Sequence, residues 1–143
     1  MHDVLTGLRV ARFLKPDEAF PLLHPSERLP DILARLSDAS YHALPVVDSD
    51  GRLLGVVSLE ELHVAARSPH LGALVVAADL MRGDVTPLQP DDRLDRALEL
   101  FVENDLLALP VVDGSPNGRV IGVVRRYDVS AAYLRHVQGT LTS

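Results

Sequence analysis

Two short segments of this chain place a carboxylate six residues after a glycine: Gly55-Val56-Val57-Ser58-Leu59-Glu60-Glu61 and Gly122-Val123-Val124-Arg125-Arg126-Tyr127-Asp128. In each, an apolar strand-like run gives way to polar groups where a helix can begin, and a helix N-terminus favours a nearby anion. Ser58 and Glu61 have the spacing of a capping box, in which hydroxyl and carboxylate satisfy free backbone donors. The same two groups can instead face a ligand. Arg125 also has two readings: its planar guanidinium can pair with a phosphate or stack on a flat ring, with Arg126 adding positive potential, or it can fill the space and salt-bridge to Asp128.

No catalytic machinery accompanies these groups. The six histidines (His2, His24, His42, His63, His70 and His136) show no His-x-x-x-His or His-x-Glu pairing, so a metal site would have to arise from folding alone. Gly-x-Gly-x-x-Gly, Walker and Gly-x-Ser-x-Gly patterns are absent, and Lys15 is the only lysine. The expectation is a protein that is not an enzyme.

The elements that position these segments occur twice. Phe20–Asp48 aligns with Val85–Asp113 at a shift of 65 residues, and Gly51–Ala66 with Gly118–Tyr133 at a shift of 67. Identities run through Leu23/Leu88, Pro25/Pro90, Arg28/Arg93, Leu29/Leu94 and Leu33/Leu98. They continue through Ala43-Leu44-Pro45-Val46-Val47-Asp48 against Ala108-Leu109-Pro110-Val111-Val112-Asp113. A duplicated unit of this length implies two similar halves packed together with a ligand site sought between them, where the copies differ.

Within each unit, Phe20–Leu23 and Val85–Leu88 read as short extended segments stopped by Pro25 and Pro90. Leu29, Ile32, Leu33 and Leu36, like Leu94, Ala97, Leu98 and Phe101, recur at helical spacing, and Pro30 requires the first helix to start near Leu29. Ala43–Asp48 and Ala108–Asp113 read as strands buried on both faces. Turns at Asp48-Ser49-Asp50-Gly51 and at Gly114-Ser115-Pro116-Asn117-Gly118 return the chain into strands Leu53–Val57 and Val120–Val124. Helices follow over about Leu59–Ala66 and Tyr127–His136. The unit order is strand, helix, strand, strand, helix. A preamble repeats as well, Val10-Ala11-Arg12-Phe13-Leu14 resembling Val76-Ala77-Ala78-Asp79-Leu80, which makes the approach to each unit part of it and leaves Ser68–Gly72 as the linker.

Composition narrows the class. A chain of 143 residues, 47% hydrophobic, can bury roughly 70% of its unfolded surface as one globule. A net charge of -6 gives no field for a polyanion, so nucleic acid is not an expected partner. The absence of cysteine fits a reducing compartment, with the cytoplasm as the default location. The longest apolar stretch, Ala73–Ala78, falls far short of the ~20 residues that span a bilayer, so no direct membrane insertion of this segment is expected.

With that order, and with Ala-Leu-Pro-Val-Val-Asp, turn, Gly-Val-Val and short helix in both halves, the chain resembles a CBS-domain pair, or Bateman module, over about residues 8–136. The resemblance implies a mixed α/β (α+β) fold of two β-α-β-β-α units, residues 8–67 and 73–136, related by a pseudo-twofold axis with two clefts between them. It further implies an adenine nucleotide (AMP, ADP or ATP) or adenosyl ligand in a cleft, control of an attached or partner protein, and a homodimer of pairs. Leu74-Val75-Val76-Ala77-Ala78-Asp79-Leu80-Met81 looks like the cytosolic tails of bacterial CLC-type chloride channels and transporters, which would make the partner a membrane domain of the same chain.

The family pattern assigns ribose to the acid after Gly-x-x-Ser/Thr-x-x, hence to Glu61 with Ser58 in the first copy and to Asp128 in the second, where Arg125 replaces the small hydroxyl. It assigns the adenine edge to the backbone before Leu-Pro-Val, here Tyr41-His42-Ala43 and Leu106-Leu107-Ala108, although Leu107 and Ala108 can equally complete the core. Neither copy has the full pattern. The other reading is a dimerisation or interaction module with degenerate clefts, supported by small-residue faces at Val64-Ala65-Ala66 and Ser130-Ala131-Ala132.

Overall fold

The computed structural model describes residues 8–15, 19–36, 42–68, 74–114 and 118–142. Its first half contains helix α1 (Leu29–Leu36), strands β1 (Ala43–Val47) and β2 (Leu53–Ser58), and helix α2 (Leu59–Ala66). After the one-turn helix α3 (Ala77–Leu80), the second half repeats the plan with α4 (Leu94–Asn104), β3 (Ala108–Val112), β4 (Val120–Arg125) and α5 (Arg126–Thr142). Tyr41, most of the linker and the tip of the second hairpin lie outside the described residues.

The two hairpins carry the duplication in atomic detail. β1 pairs with β2 and β3 with β4, both antiparallel, with matching register shifts at Val46/Val47 and Val111/Val112. Asp48 Oδ1 accepts from the backbone N–H groups of Asp50 and Arg52, both at 2.9 Å, and Gly51 takes the positive φ of 81° that closes the turn. In the second copy Asp113 Oδ1 likewise accepts from Arg119 N at 2.8 Å. The expected strands Phe20–Leu23 and Val85–Leu88 are much shorter than the pattern implied. Each pairs through a single parallel bridge, Leu23 to Val46 and Leu88 to Val111.

Every residue of β1 and β3 is buried, and in β1 the two faces have different hosts. Side chains alternate along a strand. Leu44 and Val46 point into the first lobe's core with Leu29, Ile32 and Leu62, whereas Ala43 joins the second lobe's core around Phe101 and Leu109. Val47 meets Val112 and Val120 in a small cluster between the lobes. Near the dyad the hairpins are tied directly: Val120 N donates to Gly51 O at 3.0 Å, and Arg119 Nε to Asp50 O at 2.8 Å.

The approach segments lie against opposite lobes. Val10–Phe13 forms a 3-10 turn on the second lobe, with Val10 N donating to Asp92 O and Ala11 N to Pro90 O, both at 2.9 Å. α3 packs on the first lobe in the equivalent way: Ala77 N donates to Glu27 O and Ala78 N to Pro25 O, again at 2.9 Å. Each preamble is therefore a structural part of the other half. Buried Val10 and Ala77 anchor the exchange.

The last helix also differs from expectation, running to Thr142 rather than ending near His136. Gly139 is the weakest helix former in that stretch, and one glycine costs too little to end a helix.

Candidate functional site

The exchange of approach segments builds the site. Where Leu14 crosses β4, a Cβ on Gly122 would lie 2.6 Å from Leu14 Cδ2. Where Arg82 crosses β2, a Cβ on Gly55 would lie 2.7 Å from the Arg82 carbonyl oxygen. The glycine of each Gly-Val-Val thus admits a segment belonging to the other half.

The two crossings then diverge. At β2 the incoming chain pairs with the strand: Val56 N donates to Arg82 O at 3.0 Å and Arg82 N to Val56 O at 2.8 Å. The residue at the equivalent position of the first preamble, Pro16, lies outside the described residues. At β4 a cleft lies against the approach segment, with Phe13, Leu14, Lys15 and Phe20 on one side and Gly122–Arg125 and Asp128 on the other. Its interior is about 70 Å³, against roughly 300–1,000 Å³ for sites that hold a drug-sized ligand.

Arg125 and Asp128 are brought together in this cleft. Arg125 Nε donates to Asp128 Oδ2 at 3.1 Å, with both side chains more than a third exposed, so the pair holds only about 0–1 kcal/mol. Two cations, Lys15 and Arg125, line the cleft with one carboxylate, Asp128.

Ser58 and Glu61 are not brought into an equivalent cleft. Ser58 Oγ accepts from Glu61 N at 3.2 Å and caps α2. Among the described residues the reciprocal bond of the capping box is not made. Glu61 Oε1 lies 3.7 Å from Arg82 Nε, a buried atom that has no hydrogen-bond partner among the described residues. Glu61 borders an apolar groove with Val64 and Leu80, whereas Ser58 borders a separate depression with His42 and Leu107.

The residues expected at the adenine edge are differently placed. Ala43 and Ala108 are core residues. The carbonyl of His42 accepts from Leu59 N at 2.9 Å and that of Leu107 from Arg126 N at 2.8 Å, so both already serve the starts of α2 and α5. Leu107 does not complete the core, since its side chain is 52% exposed. Leu106 is the one that is buried.

Sequence reasoning missed the wall formed by Phe13, Leu14, Lys15 and Phe20. The signals were a repeated preamble and the chain's single lysine within it. No group of histidine and acidic residues among those described could hold a metal, and no described helix is long and apolar enough to cross a membrane.

Comparison with known proteins adds the family context. The family model described as CBS domain matches residues 12–67 and 76–135. An uncharacterised protein of Methanocaldococcus jannaschii is 31% identical over 116 residues, covering 73% of this chain and 40% of that protein. The chain thus spans less than half of that relative's length. The crystal structure of CBSX2, an Arabidopsis thaliana protein, in complex with AMP aligns with a TM-score of 0.73 at 30% identity, covering 90% of this chain and 98% of that one. The cytosolic domain of the Mg2+ channel MgtE in complex with ATP aligns with a TM-score of 0.70 at 27% identity, covering 87% and 48%.

Proposed function

Because the chain belongs to the CBS domain family, we propose that it is a regulatory CBS pair that takes an adenine nucleotide or related adenosyl ligand in the second-half cleft and controls an attached or associated protein. One observation carries this reading: Asp128, the carboxylate matching the family's ribose acceptor, lies in a cleft walled by the other half's approach segment. A ligand there would touch both halves at once, and its binding energy would bear on their relative placement. The AMP complex of CBSX2 and the ATP complex of MgtE support the ligand class. A reducing cytoplasm suits both the ligand and a chain without cysteine.

The regulated partner is assigned only as a class. None of the three relatives described above is named as a chloride channel, and Val75–Met81 is tied into the first lobe, since Leu29 N donates to Val75 O at 3.0 Å and Ala77 is buried there. Isothermal titration with AMP, ADP, ATP and S-adenosyl compounds tests the ligand reading. Silence from all of them at millimolar concentration would sink it.

The second reading, an interaction module that dimerises without a ligand, is favoured by the narrowness of the cleft and by exposed Val64, Val102, Tyr127 and Leu134. These faces would pair two copies. A monomer by light scattering at tens of micromolar would count against it.

A further inference from the structure

We propose that Arg125 is a latch on the second-half cleft that only a phosphorylated ligand opens without leaving an unpaired charge, so that the site selects nucleotides over neutral nucleosides. This rests on the reading that an adenine ligand enters beside Asp128. Arg125 Nε is bonded to Asp128 Oδ2 at 3.1 Å, and its side chain lines the same small cleft. A ribose diol at Asp128 competes for that carboxylate and needs the volume the guanidinium occupies.

Displacing Arg125 separates its positive charge from the Asp128 carboxylate. A neutral nucleoside offers that charge nothing in return. A phosphate re-pairs the guanidinium, which can present two parallel N–H groups to it. Because the ion pair is more than a third exposed, the latch is held weakly enough to be reversible. In the first half Ser58 stands at the strand end, and Arg82 of the approach segment faces Glu61.

The test is calorimetric titration of the full chain with adenosine and with AMP, for wild type, Arg125→Ser and Arg125→Lys. The wild type is expected to favour AMP by about tenfold or more, the scale of a charge-assisted contact. Arg125→Ser should bind adenosine more tightly and AMP more weakly, bringing the two within about threefold of each other. Arg125→Lys keeps the charge without the fork and should fall between. An unchanged AMP-to-adenosine ratio in Arg125→Ser overturns the latch while leaving the ligand site intact. Failure of both compounds to bind either the wild type or Arg125→Ser removes the ligand reading and the latch together.

Discussion

The two crossings of an approach segment over a Gly-Val-Val strand begin from nearly the same sequence and end in different states. At Gly55 the main chain of Arg82 pairs on both sides with Val56, and Glu61 turns toward the arginine side chain. At Gly122 the approach segment leaves a cleft holding Lys15, Arg125 and Asp128. Internal duplication supplies two equivalent frames, and a few unmatched residues decide which becomes a seam and which a site. Arg125 in place of Ser58 is a difference with chemical consequence.

The largest expected effect asks whether the unequal halves nevertheless behave as one body. Phe101 is fully buried in a cluster that includes Ala43 and Val56 of the first half, so Phe101→Ala should cost about 3–5 kcal/mol. Denaturant unfolding followed by two probes should still show one transition. Two separated transitions would mean that the halves are independent.

The glycines sharpen the comparison next. A methyl at Gly55 meets a backbone carbonyl held by paired strands, whereas at Gly122 it meets the free end of a leucine. Gly55→Ala should therefore destabilise by about 1–3 kcal/mol and Gly122→Ala by clearly less, read as thermal midpoints. Equal shifts would contradict the distinction between seam and cleft.

Ligand binding separates the acids. Asp128→Asn should weaken an adenine nucleotide by about tenfold, or about 1.4 kcal/mol, with little change from Glu61→Gln. The reverse order in titration would move the site to the first half. The smallest effect concerns Ser58, which caps α2. Ser58→Ala should cost about 1 kcal/mol of stability and leave nucleotide affinity unaltered.

Much of the fold was legible because its signals are local. Pro30 and the leucine spacing placed the start of α1, Asp48 and Gly51 marked the first hairpin, and α2 spans the expected residues. The site was legible only in part. Asp128 and Arg125 could be named from their spacing, and the structure pairs them, but the opposite wall comes from Phe13, Leu14, Lys15 and Phe20, more than a hundred residues earlier. No periodicity reports a contact of that range. Leu107 misled because an apolar residue beside a buried strand resembles core, while the turn after α4, with Asp105 at φ 53°, leaves it exposed and buries Leu106.

By itself the amino-acid sequence determined a doubled unit, its strands and helices, and the two carboxylate positions, since side-chain period, turn chemistry and capping act over a few residues. Only the tertiary structure decided that the preambles cross to the opposite halves and that one crossing seals while the other opens. Those outcomes depend on main-chain pairing and packing between segments far apart in the chain. The backbone N–H of Arg82 has its consequence only because Val56 O is there to receive it.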